Sequence, residues 1–297
     1  MKKVIAYLRG GLGNQMFQYA AARALALKHG ADLFVDDWSG FVRDSLYRRN
    51  YELGAFPIQA DVTGKIAGLP IWLYRLRNPK GGIASSIINS YWFGQFLCET
   101  EKRYLPQLEK VSLDQKVWMV GYWQSPRYFE EYSQQIRSEL MPPQPHQEKY
   151  LSMGDQIRQT ESVALGIRLY EESENPEAHS RDKQIKSVND INLAVKRMRS
   201  NHPNAKFFIF CTHRSPLIDQ LDLPANSVSV TQDDGFNGTI ESLWLLSQCR
   251  HHILTNSSYY WWGAWLSSAT HNSIKQHIIA ADNFSNYDIL CRDWETF

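Results

Sequence analysis

The chain has 297 residues, enough for two modest domains, with 32 Lys+Arg against 31 Asp+Glu and a formal net charge of +1, which excludes nucleic-acid binding through a broad basic surface. Four widely spaced cysteines (Cys98, Cys211, Cys249, Cys291) with no CxxC pair exclude a disulfide framework or zinc site and read as reduced, mostly buried thiols of a cytoplasmic protein. No run approaches the about 18 apolar residues of a membrane span, and Val4–Leu8 after two lysines is too short for a signal peptide.

In chain order, a strand is predicted over 3–8, stopped by Arg9-Gly10-Gly11, and a helix over 14–29. Glycine at 10, 11 and 13 lets backbone approach a ligand, with positive φ where the turn needs it. The start of the following helix favours phosphate or another anion. Met16 stands where a dinucleotide fingerprint wants its third glycine, and Asp36-Asp37 are not cleanly placed for a ribose, so a nicotinamide site is disfavoured. A strand over 32–36 follows, then a long irregular and helical region to about residue 110. Within it, 65–77 (KIAGLPIWLYRLR) reads as a helix packed on its own domain or as a surface helix in weak peripheral contact with anionic lipid at the inner membrane face. A strand running into an aromatic loop is predicted over 117–125 and a helix over 128–140. The prolines of 141–147 (MPPQPHQ) block regular structure and mark a boundary between domains 1–143 and 144–297.

The second half alternates regularly. Helices are predicted near 147–160, 187–200, 215–221, 239–249 and 258–268; strands over 162–168, 206–211, 226–231, 251–255 and 276–280. The alternation implies a doubly wound, mostly parallel sheet with its ligand at the strand carboxyl ends. The fold class is α/β: two Rossmann-type domains facing each other across a cleft. A mixed aromatic composition, 10 Trp, 15 Tyr and 13 Phe, suits sugar faces but also fills cores.

Three strand ends carry candidate chemistry. Thr255-Asn256-Ser257-Ser258 reads as a helix cap or as a diphosphate cradle. Arg168 ends a buried strand, where a guanidinium can grip a diphosphate or pair with a local carboxylate. Glu171, Glu172 and Glu174 follow it, as a general base or a solvated loop, and His179 reads as exposed. Cys211-Thr212-His213 reads as a base or ribose contact, or as a turn capped at Ser215. The aromatics Tyr260, Trp261, Trp262 and Trp265 read as packing residues rather than a sugar platform. His251 and His252 are adjacent on a strand, so their side chains diverge; with only Asp36-Asp37 and Asp233-Asp234 as further candidates, no metal site is assigned.

GGLGNQMFQYAAARALA near the amino terminus, ESLWLLSQCRHHILTNSSYYWWGAWLS near the carboxyl terminus and the arginine-bearing strand between them resemble the α-1,2-fucosyltransferases of glycosyltransferase family 11. That resemblance implies a GT-B fold, GDP-β-L-fucose as co-substrate rather than a cofactor, and inverting transfer to O2 of a terminal galactose on an oligosaccharide without an essential metal. It implies a donor side in 144–297, with Arg168, Thr212, His213, Asn256, Ser257 and Ser258 binding GDP-fucose. It implies an acceptor side in 1–143, with Gly11, Gly13, Gln15 and Gln18 lining it. Arg168, Asn14 and a carboxylate, Glu171, are the expected catalytic residues. Where the family has HxRRGDY, this chain has Gly166-Ile167-Arg168-Leu169-Tyr170-Glu171-Glu172, keeping the first arginine and replacing the histidine by Gly166. The family's Ser-Asp-Asp stands here as Cys211-Thr212-His213. Another GDP-sugar-dependent transferase and a non-catalytic carbohydrate-binding protein of the same fold are the alternative readings.

Overall fold

A computed structural model describes all residues except 1, 43, 45, 46, 65–86, 91–93, 115, 171, 172, 174, 176–178 and 272–274; of 87–90 it describes the backbone alone. The segment 65–77 and the candidate base Glu171 therefore lie outside the described residues. No described helix is long and apolar enough to cross a membrane.

The chain divides into two compact units: Met1–Leu140 with Asn286–Ile289, and Met141–Ser285 with Leu290–Phe297. The short return of 286–289 corrects the expectation that everything after 143 belongs to the second domain. Hydrogen bonds hold it in the first unit: the Tyr287 N–H donates to the Lys102 carbonyl (2.9 Å) and the Asp288 carboxylate accepts from the Tyr104 N–H (2.8 Å).

The first unit is built on a six-stranded sheet in the order β3-β2-β1-β6-β5-β4. Its strands are β1 (Lys3–Tyr7), β2 (Asp32–Asp36), β3 (Asp61–Val62), β4 (Ile87–Ser90), β5 (Gly94–Cys98) and β6 (Lys116–Val120). β1 lies at the centre, pairing in parallel with β2 and β6, and Val4, Ala6, Tyr7 and Leu8 are buried. A strand covered on both faces must be apolar along its length, which is why β1 reads as a continuous run. The antiparallel pairing of β4 with β5 at the edge corrects the expectation of an irregular and helical region up to 110. The edge strand β4 is four residues long, too short for an apolar alternation to stand out. Helix α1 (Leu12–His29) ends at Gly30, φ 58°, with the Ala31 N–H returning to the Ala26 carbonyl (2.9 Å), a left-handed terminus that suits glycine. The run 128–140, expected as one helix, opens as 3₁₀ turns and becomes helix α2 only over Ser133–Leu140.

The second unit has a six-stranded, all-parallel sheet in the order β12-β11-β10-β7-β8-β9. Its strands are β7 (Ser162–Gly166), β8 (Lys206–Phe210), β9 (Val228–Val230), β10 (His251–Leu254), β11 (Ile278–Ala280) and β12 (Glu295–Thr296). Its helices are α3 (Glu148–Arg158), α4 (Val188–Asn201), α5 (Thr239–Gln248) and α6 (Ser258–Thr270). One face of the sheet packs Val163, Leu165, Phe207 and Ile209 against Ile191, Val195 and Met198 of α4, a core stripe at helical spacing. Tyr260, Trp261, Trp262 and Trp265 of α6 are all buried; the three tryptophans pack edge-on and stacked against one another and the Tyr260 ring lies over Gly166, so all four are core. Cys98, Cys211 and Cys249 are buried, and Cys291 is half-buried. The segment 215–221, expected as a short helix, forms only a 3₁₀ turn at Ile218–Gln220, where Pro216 and the short spacing before β9 leave no room for more.

Candidate functional site

In the second unit, three neighbouring strands, β10, β7 and β8, pair so that Leu254, Gly166 and Phe210 lie level with one another. Asn256, Arg168 and Thr212 each follow two residues later. In-register parallel strands thus deliver an amide, a guanidinium and a hydroxyl to one edge, the edge where doubly wound sheets bind ligands. The Arg168 guanidinium Nη1 reaches Thr212 Oγ1 at 3.4 Å. Its backbone N–H donates to Thr255 Oγ1 (2.8 Å), and the Thr255 hydroxyl donates to the Gly166 carbonyl (3.3 Å). Thr255, whose role was not legible beyond its place in a polar run, is the clasp that fixes where the Arg168 backbone leaves the sheet.

Ser257 sits at the N-cap of α6 in an extended conformation and makes no side-chain cap hydrogen bond. The capping explanation of this sequence therefore does not hold for its hydroxyl. Ser258 is half-buried in the first turn. Asn256 is buried: its Nδ2 donates to the His179 carbonyl (3.3 Å), while its Oδ1 is buried without a hydrogen-bond partner among the described residues. An unmet buried acceptor costs about 1–3 kcal/mol, which a ligand hydroxyl would offset.

Gly166 explains the lost histidine. A Cβ there would lie 2.6 Å from Cγ of the buried Tyr260 ring, whose hydroxyl donates to the Ile167 carbonyl (3.2 Å). The aromatic ring of α6 fills the space that a side chain on β7 would need.

His213 departs from expectation. It is exposed, with Nδ1 3.1 Å from Asp233 Oδ1. Asp233 also accepts from the Arg214 N–H (2.7 Å), and Arg214 pairs with Asp234. Burial opposes ionisation of Asp234, but hydrogen bonds from Arg214 and Thr231 outweigh it and bring the carboxyl down to about 2. This loop is a self-satisfied ion-pair cluster, so His213 and the Asp233-Asp234 pair are spent on one another. His179, expected to be solvent-exposed, is instead half-buried and stacked on Tyr170 (centroids 4.3 Å, planes 5° apart). Nothing in the spacing of these residues signals that contact.

In the first unit, Gly10 has φ 77°, and a Cβ there would come 2.7 Å from Asn14 Nδ2, so glycine is required. Asn14 is half-buried and its Oδ1 accepts from Gln124 Nε2 (2.8 Å). Gly11 is half-buried, with the Arg49 guanidinium 3.8 Å from where its Cβ would be; Gly13 is buried in α1. Gln15 and Gln18, expected to line an acceptor surface, are corrected to structural residues. Both are buried. Gln15 Nε2 donates to the carbonyls of Gly10 (2.9 Å) and Asn50 (2.8 Å), and its Oε1 accepts from the Glu52 N–H (2.9 Å). Gln18 exchanges two bonds with the Arg9 backbone (2.9 and 3.2 Å). Their amides are consumed in holding the glycine turn. Glu99, after β5, accepts from the Tyr122 and Trp123 N–H groups (2.7 and 3.1 Å). Burial raises its carboxyl above the ordinary value despite those bonds and nearby Arg9.

Among the described residues, Glu161, His202 and His251 bring three potential metal-ligand atoms within 4.8 Å of one another. Glu161 and His251 lie at the amino ends of β7 and β10, the opposite end of the strands from Arg168, and His202 directly follows α4. His251 Nδ1 accepts from the His277 N–H (3.0 Å), which puts the proton of the neutral ring on Nε2, the nitrogen facing Glu161 (3.8 Å). A ligating histidine normally donates from its other nitrogen, so this arrangement argues against a metal.

The family model for glycosyl transferase family 11 matches residues 3–296. The chain belongs to glycosyl transferase family 11. It is 29% identical over 286 residues to an alpha-1,2-colitosyltransferase of Escherichia coli, covering 90% of this chain and 89% of that protein. It is 26% identical over 282 residues to the Escherichia coli O-antigen biosynthesis glycosyltransferase WbnK, covering 88% and 89%. The fold is similar to that of fucosyltransferase NodZ from Bradyrhizobium, with TM-score 0.53, 16% identity and coverage of 89% of this chain and 92% of that one. NodZ α-1,6-fucosyltransferase soaked with GDP-fucose matches with TM-score 0.52 and 15% identity over 89% and 92%. The architecture is thus the GT-B type, and this family 11 chain is a glycosyltransferase.

Proposed function

We propose that the protein transfers a 6-deoxy-L-hexose from a GDP-linked donor to O2 of a terminal galactose, with inversion at the anomeric carbon. Fucose is the first reading of the sugar. Colitose, its 3-deoxy counterpart, is the second, favoured by the 29% identity to an alpha-1,2-colitosyltransferase. The observation that carries the reading is the convergence of Arg168, Thr212 and the uncapped Ser257 at the carboxyl ends of three in-register strands.

As the acceptor oxygen attacks the anomeric carbon, the bond to GDP breaks and negative charge grows on the diphosphate. Arg168 and the N-terminus of α6, with Ser257 and Ser258, meet that charge. Asn256 Oδ1 accepts from a donor hydroxyl. The galactose hydroxyl yields its proton to a carboxylate of the loop after Arg168, for which Glu171 is our choice. Asn14 and the Gly11–Gly13 backbone belong to acceptor recognition. Because protein groups meet the diphosphate charge, no metal is assigned a role, and full activity in EDTA is expected.

The test is incubation with lactose and either GDP-fucose or GDP-colitose, measuring GDP release and determining the new linkage by NMR. An α-1,2 product on galactose supports the reading. Preferential thermal stabilisation by UDP over GDP would contradict the donor assignment, since stabilisation follows affinity for the folded state. Glycan binding without turnover on a broad galactoside panel would replace it with a carbohydrate-binding role.

A further inference from the structure

The proposed reaction leaves Tyr170 and His179 without a part, yet the second unit maintains them in an unusual arrangement. Tyr170 has φ 56°, the left-handed region, which costs a non-glycine residue about 1–2 kcal/mol. Strain of this kind persists only where surroundings over-determine it. Here three contacts do so. The Tyr170 hydroxyl donates to the Asn256 carbonyl (2.5 Å), its carbonyl accepts from the Ser173 N–H (2.9 Å), and its ring lies parallel to the His179 imidazole at 4.3 Å.

His179 is itself pinned. Its carbonyl accepts from Asn256 Nδ2 (3.3 Å) and Ser285 Oγ (2.6 Å), and its Nε2 lies 3.0 Å from Ser173 Oγ. The next residue, Ser180, bridges to Phe284. The Tyr170 ring also meets the Arg168 guanidinium, 4.7 Å from guanidinium carbon to ring centroid, a cation–π contact. The chain of contact therefore runs from a pinned imidazole, through a strained tyrosine, to the guanidinium assigned to the diphosphate. The same tyrosine ties that guanidinium to the backbone just before α6.

We infer that His179 is a positioning residue for the donor: its stacked ring holds Tyr170 in the left-handed conformation and so fixes the Arg168 guanidinium beside the N-terminus of α6. The inference rests on the donor reading above. The plane of the imidazole does the holding, so an aromatic replacement should serve and an aliphatic one should not. The guanidinium acts in binding GDP and in its departure, so loosening it should appear first in donor affinity.

The experiment compares wild type, R168A, H179A, H179F and Y170F, measuring the Kd for GDP by calorimetry and the donor KM and kcat by GDP release. Circular dichroism and Tm check folding. H179A should raise the GDP Kd and donor KM about tenfold with kcat changed less than about threefold. H179F should return both to within about threefold of wild type. Y170F, which keeps the rings and loses the bond to Asn256, should fall between them. If H179A does not fold, the comparison of H179F with wild type and R168A decides: H179F near wild type upholds the inference, and H179F as impaired as R168A overturns it. A GDP Kd unchanged in H179A while R168A weakens binding overturns the inference alone. A kcat loss of about a hundredfold in both H179A and H179F, with donor KM unchanged, makes His179 a proton-transfer group and also overturns it. Wild type that does not bind GDP overturns the donor reading and takes this inference with it.

Discussion

At the scale of single residues, Arg168 bears the heaviest load. It is delivered by the central strand β7, clasped through its backbone by Thr255 and faced by Thr212 and Tyr170. Removing a donor that stabilises transition-state charge costs on the order of a hundredfold in turnover, about 2.7 kcal/mol. Arg168→Ala is expected to lose at least that in kcat; steady-state GDP release near the wild-type rate would sink the role. Gly166 makes a second prediction. With Tyr260 Cγ 2.6 Å from the position of a Cβ, Gly166→Ala should destabilise the protein by about 1–3 kcal/mol, the range for overpacking a filled core. Replacing Tyr260 by serine should relieve part of that cost, because residues in contact are not additive. Urea unfolding of both single variants and the double variant measures the coupling, and purely additive losses would show that the ring is not the obstacle. The Gly166 departure was visible in the sequence as a missing histidine. Its cause was not, because the ring that replaces it arrives from a helix about ninety residues later.

At the scale of elements, the sequence revealed what burial on two faces and helical amphipathicity impose. β1, β2, β7, β8 and β10 announce themselves as short apolar runs, and α1 and α4 begin and end close to their predicted places. The residues two past each strand end could be picked out as candidates without knowing the sheet order. That Asn256, Arg168 and Thr212 share one edge required the register of β10, β7 and β8. What escaped were the edge strand β4 with its partner β5, and side chains that serve other segments. β4 and β5 are four and five residues long, and Gln15 and Gln18 look like site residues only because polar side chains after a glycine turn usually are. The junction of α1 and α2 is a further case of a polar group doing structural work. Glu139 is buried, accepts three bonds from Arg23 and one from the Tyr19 hydroxyl (2.6 Å), and burial together with that last bond raises the tyrosine far above its ordinary range. Glu139→Ala leaves the Arg23 charge without its partner, for which about 3–5 kcal/mol is typical. Thermal unfolding should show the loss, and a shift under about 1 kcal/mol would mean that the network contributes little.

At the scale of the whole molecule, the two units carry opposite responses to acid. In the second unit, burial is the main cause that lowers His251 to about 4 and His252 to about 3. Neighbouring His202, His277 and Arg250 push His251 the same way and Glu161 opposes; for His252 the Cys249 carbonyl opposes and His271 assists. Both rings are neutral in the fold at pH 6.5, the ordinary value for the unfolded side chain. Above that pH neither state binds the proton, and their contribution to stability is complete. Between about 6.5 and 4 the unfolded chain binds protons that the folded chain refuses, so stability falls by about 1.4 kcal/mol per pH unit for each histidine. Asp182, Asp190, Asp233 and Asp234 of the same unit are held below their ordinary values, so their contribution too is lost on further acidification. In the first unit burial raises Asp36, Glu52 and Glu99, so the folded state takes up protons first and gains stability as pH falls; among the described residues His29, lowered mainly by burial, works against this. The second unit should therefore give way first in acid. Hydrogen exchange read by mass spectrometry at pH 7, 5 and 4, corrected for intrinsic rates, should show protection falling in β7 and β10 while β1 and β6 retain theirs. His251→Asn keeps an acceptor for the His277 N–H and removes the titration, so it should flatten the pH dependence of the second unit between 6.5 and 4. Earlier loss in β1 and β6, or a slope unchanged by that substitution, would refute the assignment of acid sensitivity to the buried histidines.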